Sequence, residues 1–292
     1  MSSPVLISSA ANPLVKRIRA LADRKHRRRE GAFVVEGIQP VWRAVEAGWQ
    51  VETLVVVPEL LADSAAGMVA GQRAAGVRVA ELTAELAGRL TDRDRPPGLF
   101  AVLRARHTEL AELAVRPDAV FLALHEIGNP GNLGTVIRTA DAAGAAGVIL
   151  VGDTADPFAP AAVKASMGSL FAVPVAAAPD AAAFLRWARA GDVRVLATSG
   201  HAERAHWSRT YRPPLAVLVG SEGDGLPAAL LAEADETVRI PMVGTAESLN
   251  LAVAAALMLY EARRHAIGPD AIGPDAVGPD AAGPDAVGPE PE

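Results

Sequence analysis

The stretch "AVFLALHEIGNPGNLGTVIRTADAAGAAGVILVGD", residues 119–153, decides the fold. An apolar run at 119–126 leads into a loop of Gly, Asn and Pro. Apolar positions at helical spacing follow over 132–144, and a second apolar run occupies 147–152. Short unbroken apolar runs suit strands of a parallel sheet covered on both faces, and the helical period between them supplies the crossover. The stretch therefore predicts a β-α-β unit. A dinucleotide-binding loop would also lie here, with Asp153 near the place of a ribose-binding acid, but Gly128, Gly131 and Gly134 give G-x-x-G-x-x-G. That spacing displaces the backbone positions that must approach a pyrophosphate in G-x-G-x-x-G.

The same alternation extends in both directions. Downstream, apolar runs at 193–197 and 215–219 and the short "TVRI" read as strands, with helices at about 159–168, 180–190 and 227–234. A final segment, "SLNLAVAAALMLYEARR" at 248–264, reads as a helix apolar almost all round, as befits the interior of a fold. Its polar opening, Ser248 and Asn250, follows a Pro- and Gly-containing loop. Upstream, a helix over 12–28, the strand "FVVEG", the helix "IQPVWRAVEAG" and the strand "VETLVVV" begin a second α/β unit that ends at "GLFAVL". The polar "RARHTELAELAVRPD" between the units has no clear strand pattern and reads as a connector. The expected organisation is residues 1–104, a connector at 105–117, a doubly wound domain at 118–265 and a tail at 266–292.

Composition narrows the function classes. The 292 residues, 50% of them hydrophobic, suffice for two cores. Cysteine is absent, which removes disulfides, thiolate metal sites and cysteine nucleophiles. The six His residues lack a paired helical spacing, so no metal is expected. No apolar run is long enough to span a bilayer, and the first residues lack an apolar core followed by a cleavage site; a cytoplasmic protein without a membrane partner is the expectation. The net charge of -6 is unevenly spread. Lys16, Arg17, Arg19, Arg24, Lys25, Arg27, Arg28 and Arg29 crowd near the start, where they would meet RNA phosphate or, alternatively, form a solvated helix face. The repeat "AIGPDAIGPDAVGPDAAGPDAVGPEPE" supplies six acids, and its regular Gly-Pro pairs predict a disordered acidic tail.

In open α/β sheets ligands bind beyond the carboxyl ends of the strands, so the loops "GNPGNLG", "SEGDGLP" and "PMVGTAESLN" become the candidate site. Here the residues resemble a known family. "NLGTVIRTADAAGA", "LVGSEGDGLP" and "IPMVGTAESLNLAVAAALMLYEA" are similar, in order, to the three motifs of the SpoU-type (TrmH-like) branch of the SPOUT RNA ribose 2′-O-methyltransferases. The N-terminal part, through "FVVEG", "AVEAGW" and "RPPGLFAVL", is similar to the ribosomal-protein-like substrate-binding domain of the rRNA-modifying members.

The resemblance implies an α/β-knot domain with a deep trefoil knot and a mostly parallel sheet, S-adenosylmethionine as cofactor, an RNA partner, rRNA rather than tRNA, and a homodimer. It places Arg138, Asn132, Glu222, Ser248 and Asn250 at the catalytic centre. Cofactor contacts fall to Thr198, Ser199 and Gly200, to Gly220, Glu222, Gly223, Gly225 and Leu226, to Ile240 and Met242, and to Ser248, Leu249 and Leu251. Leu218, Leu226, Ile240 and Leu249 are the expected apolar slot for the adenine. Lys164 and Ser166, in "VKASMGSLFAVPV", are expected near RNA.

Methyl transfer from a sulfonium to a ribose hydroxyl is an in-line displacement, so alignment is the larger task. A guanidinium stays protonated and is a poor base, which favours phosphate positioning and stabilisation of a developing alkoxide for Arg138 and leaves the proton acceptor open. Asn132 would hold the nucleotide or the loop, and Glu222 would orient Arg138 or touch substrate. Local alternatives exist: Ser248 as a helix cap, and Glu222 as a solvated loop acid. Two other functions compete, a nicotinamide-dependent oxidoreductase of doubly wound fold and a non-catalytic RNA-binding module.

Overall fold

The computed structural model describes residues 6–91 and 95–267, with side chains to 264. The expected acidic tail from residue 268 onward lies outside the described residues. In chain order the N-terminal unit contains β1 (Leu6–Ile7), α1 (Pro13–Ala20), α2 (Arg24–Glu30), β2 (Ala32–Glu36), α3 (Ile38–Glu46), β3 (Val51–Val56), α4 (Asp63–Ala74), β4 (Arg78–Leu82), α5 (Ala84–Gly88) and β5 (Leu99–Arg104). Its sheet order is β1-β4-β3-β5-β2, with β5 antiparallel to both neighbours.

The second unit contains β6 (Thr108–Glu109), β7 (Val120–His125), α6 (Pro130–Ala142), β8 (Gly147–Val151), α7 (Pro160–Ser166), β9 (Val175–Ala178), α8 (Ala181–Ala190), β10 (Arg194–Thr198), β11 (Leu215–Val219), α9 (Ala228–Ala232), β12 (Glu236–Val238) and α10 (Leu251–Ile267). Its seven strands run in the order β12-β10-β11-β7-β8-β9-β6, every neighbouring pair parallel. The chain builds β7, β8 and β9 outward in one direction, then returns past β7 to lay down β10 and β11 on its other side. This reversal is a topological switch point, where loops diverge and leave a crevice.

Three sequence expectations are refined. The helix expected over 12–28 is two helices, because Asp23 turns the chain and caps α2 by accepting a bond from Lys25 N at 2.7 Å. The connector at 105–117 holds β6, which adds to the second sheet beside β9. The last helix begins at Leu251, so Ser248 lies in the preceding loop and Asn250 does the capping: its Oδ1 accepts from Ala252 N at 2.9 Å.

The two units share a core. Phe33 and Trp49 from the first pack with Phe158 and Phe171 from the second, at centroid distances of 4.7 Å for Phe33–Phe158 and 5.2 Å for Trp49–Phe171. Trp49 Nε1 donates to Phe171 O at 3.3 Å. On the same face of the second sheet, α10 packs on α6, β7 and β11, while α8 and α9 cover the opposite face through Phe184, Leu185 and Leu230. In α6, Leu133, Val136, Ile137 and Ala140 are buried at helical spacing, and Gly134 lets α7 come close: a Cβ there would lie 2.3 Å from Ala162 O.

Candidate active site

The loops after β10, β11 and β12 and the approach to α10 enclose a cleft of about 710 Å³. Thr198, Ser199 and Gly200 line one wall, Gly220 through Leu226 a second, and Ile240, Met242, Ser248, Leu249 and Leu251 the remainder. Thr198 to Gly200, Gly220, Glu222, Gly223, Gly225, Leu226, Ile240, Met242, Ser248, Leu249 and Leu251, all expected to contact the cofactor, lie along this one cleft. Asp224, inside the expected Gly220–Leu226 stretch, lines it too, whereas the sequence reasoning missed His201, Arg239 and Glu247. Leu218 does not line the cleft. It is fully buried in β11, and its carbonyl accepts from the Thr198 hydroxyl at 3.2 Å, so the apolar slot is formed by Leu226, Ile240 and Leu249.

Gly220 explains the shape of the second wall. A Cβ at this position would lie 2.2 Å from Gly225 C, inside the turn that Gly225 closes with a φ of +67° and a bond from its N to Ser221 O at 3.3 Å. Only a glycine allows the backbone to fold back on itself here. The result is a shallow cradle of main-chain groups over apolar side chains. Such a surface fits a nucleoside cofactor, which needs an apolar slot and a few polar contacts.

At the mouth, one hydrogen-bond relay joins three segments distant in sequence. Glu222 Oε1 accepts from Asn132 Nδ2 at 2.7 Å, and Asn132 Oδ1 accepts from Asn250 Nδ2 at 3.2 Å. Asn250 Oδ1 then accepts from Ala252 N. A carboxylate only accepts, so Glu222 fixes the Asn132 amide orientation, which fixes that of Asn250 and leaves its oxygen for the helix N–H. The relay ties the first turn of α6 and the start of α10 to the β11 loop. It also corrects the sequence reading of Glu222: its bond goes to Asn132, and no bond to Arg138 occurs among the described residues.

Arg138 lies two turns along α6 from Asn132, exposed and without an ion-pair partner among the described residues. It does not line the cleft. Ser248 is exposed on the cleft and makes no hydrogen bond among the described residues. Its hydroxyl is therefore available to a ligand, and the cap role falls to Asn250.

The residues expected to meet RNA divide into two groups. Arg27 is 6% exposed; its Nε and Nη2 donate to Asp156 Oδ2 at 2.9 and 2.7 Å, and its Nη1 to the carbonyls of Leu21 and Ala22. It clamps the two units together and is unavailable to phosphate. Arg17 is likewise committed, to Glu30 at 2.8 Å and Glu52 at 2.7 Å, and its hydrogen bond holds the Glu30 carboxyl below the ordinary carboxylate range. Arg24 reaches Thr154 O, and Arg29 reaches His26 and Glu30. Lys16, Lys25, Arg28 and Lys164 are exposed and carry no ion pair among the described residues. Ser166 is fully buried and donates to Val163 O, which removes it from any RNA contact. Among the described residues no group of three metal-ligating side chains occurs.

Comparison with known proteins agrees with this arrangement. Residues 119–260 match the model of the SpoU rRNA Methylase family, and residues 12–101 match the MRM3-like substrate binding domain. A 23S rRNA (uridine(2479)-2′-O)-methyltransferase of Streptomyces viridochromogenes is 35% identical, over 85% of this chain and 88% of its own. The 23S rRNA (guanosine(2553)-2′-O)-methyltransferase RlmP of Bacillus subtilis is 31% identical, over 88% and 98%. The crystal structure of an AdoMet-bound rRNA methyltransferase from Sinorhizobium meliloti superposes with a TM-score of 0.83 at 41% identity, covering 89% of this chain and 98% of that one. The nicotinamide-dependent alternative falls with this match: the first Gly-rich loop does not line the cleft, and the likeness extends over both units. Cradle, relay and likeness coincide: the chain belongs to the SpoU rRNA methylase family, whose fold is the knotted SPOUT domain, and is an S-adenosylmethionine-dependent RNA 2′-O-ribose methyltransferase.

Proposed function

We propose that the protein methylates a ribose 2′-hydroxyl in 23S rRNA, in the cytoplasm, as a homodimer without a metal. The observation that carries this reading is the cleft itself: the loops after three parallel strands supply a backbone cradle, an apolar slot and a free hydroxyl at Ser248, with the Asn132 relay at the mouth. The 23S rRNA substrate is favoured by the relatives named above and by the substrate-binding likeness of the N-terminal unit. Among the described residues no helix is long and apolar enough to cross a membrane.

Bound S-adenosylmethionine supplies an electrophilic methyl group. The chain must hold that group against the ribose oxygen, and main-chain groups of the β11 loop with Leu226, Ile240 and Leu249 hold the nucleoside end. Asn132, locked by Glu222 and Asn250, fixes the first turn of α6 and hence the line along which Arg138 projects. A guanidinium there pairs with a phosphate and steadies the growing charge on the oxygen, while the hydroxyl proton leaves to solvent water.

Two places where a single chain falls short support the homodimer. Arg138 is outside the cleft, and α10 leaves Val253, Leu257 and Tyr260 exposed, as is Leu249 in the loop before it. A second copy that covers α10 would bury these side chains and bring further groups to the cleft mouth. Mapping of 2′-O-methyl sites in 23S rRNA from cells with and without the protein tests the substrate. A site that disappears with the gene and returns with the wild-type chain supports it; an unchanged 23S map with a lost tRNA methylation would transfer the activity to tRNA.

A further inference from the structure

A second cavity, of about 370 Å³, lies along the seam between the two units, where α7 runs beside the edge strand β2. Its walls are apolar: Leu21, Val34, Pro40 and Leu90 from the first unit, Pro160 and Val163 from the second. At the floor the Thr91 hydroxyl donates to Glu36 Oε2 at 2.6 Å. Three cations stand around it, Arg19 on α1, Arg89 after α5 and Lys164 on α7, all exposed. Arg19 and Lys164 carry no ion pair among the described residues, while Arg89 shares an exposed pair with Glu85.

Charge and shape point to the same occupant. Apolar walls accept the face of a base, which stacks without regard to sequence, and a cationic rim accepts the phosphates on either side of it. The volume lies near the lower end of small-molecule sites and suits one nucleotide rather than several. The seam also leads toward the reaction centre, because α7 packs on α6 through Ala162 and Ala165 against Gly134, one turn before Arg138. We propose that this inter-unit pocket takes one unpaired nucleotide of the RNA substrate, its base between the apolar walls and its phosphates on Arg19, Arg89 and Lys164. The inference rests on RNA being the substrate. It relocates the RNA contact from the Arg24–Arg29 run, three of whose five Lys and Arg side chains are spent on internal pairs, to the seam.

The test uses the full chain, a fluorescein-labelled uridine oligonucleotide read by anisotropy across a salt series, and titration calorimetry with S-adenosylmethionine. The Arg19→Glu, Lys164→Glu double variant should bind the oligonucleotide about tenfold more weakly, with a salt slope shallower by about 1.4, two single-strand phosphate contacts at roughly 0.7 each. Ala161→Trp, which fills the pocket from an exposed helix position, should weaken binding without changing the slope. Arg186→Glu, on α8 across the sheet, controls for a charge reversal away from the pocket and should change affinity less than about twofold. Cofactor affinity should be unchanged in all three, which also shows that they fold. Wild-type affinity in both pocket variants, or failure of the wild type to bind the oligonucleotide at low salt, overturns the proposal. If the pocket variants lose RNA as expected but the wild type binds no S-adenosylmethionine, the methyltransferase reading fails and the pocket stands.

Discussion

Asn132 is the residue on which the site turns, since among the described residues it alone hydrogen-bonds to both Glu222 and Asn250. Asn132→Asp would set a second carboxylate against Glu222 at about the same 2.7 Å, and the repulsion should open the relay. We expect kcat to fall about 100-fold, with RNA affinity changed little, in a tritiated-methyl transfer assay. Arg138→Ala should separate binding from chemistry more sharply: RNA and cofactor still bind, and transfer falls by about 10² to 10³, the cost of one lost charge-stabilising donor. Tyr211 offers a pH test away from the site. Its buried hydroxyl donates to His206 O, and desolvation by burial, aided by the charges of Glu236 and Glu261, pushes its pKa up to about 12. The folded state thus prefers the neutral phenol, so this contribution to stability is complete below the unfolded value near 10 and is lost as pH rises toward 12. Spectrophotometric titration of Tyr260→Phe, which leaves Tyr211 as the single tyrosine, should give a midpoint near 12. At this scale the motif residues were legible because each carries a chemical type that the site needs. Their partners were not: nothing in the spacing of Asn132 and Glu222, ninety positions apart, reveals that one donates to the other.

Elements were legible where period and length agreed. β7, α6, β8, β10 and β11 fall where apolar runs and helical spacing place them, because buried parallel strands and a core-facing helix leave strong patterns. The break between α1 and α2 was missed because the basic run masks Asp23, whose side chain is a stronger stop than propensity is a bridge. β6 was missed because two residues on a sheet edge leave no period at all. Glycine carries the tightest predictions here. Gly134→Ala would force α6 from α7, since the added methyl would meet Ala162 O at 2.3 Å and Ala165 Cβ at 2.7 Å. A loss of about 2 to 4 kcal/mol is expected from chemical denaturation, well above the gain in helix propensity that alanine brings at an open position. Asn250→Ala should cost about 1 kcal/mol through the lost cap, and activity more than that cost accounts for, because the same side chain orients Asn132.

The whole molecule is two α/β units fused across an aromatic seam with an ion pair in which Arg27 is buried and Asp156 partly buried. That seam was invisible in the sequence, because Arg27 reads as one more member of a basic run and Asp156 as one more loop acid; burial, a tertiary property, separates them from their neighbours. Removing one partner of a buried pair leaves the other uncompensated, so Arg27→Ala should destabilise the fold by about 3 to 5 kcal/mol, and in calorimetry the two units should cease to melt together. The seam gives the N-terminal unit a fixed place beside α7, so RNA held there has a defined approach to α6 and the cofactor cleft. The dimer should be as sharply testable: Leu257→Glu, on the exposed stripe of α10, is expected to yield monomers in sedimentation velocity and to lower transfer far more than cofactor affinity. The central claim is that the three-loop cleft holds the methyl donor. Titration calorimetry with S-adenosylmethionine on the wild type and on Gly220→Val tests it most directly, because a side chain at Gly220 closes the cradle from within. Binding by the wild type and none by the folded variant is the predicted result; undiminished binding by Gly220→Val would contradict the account.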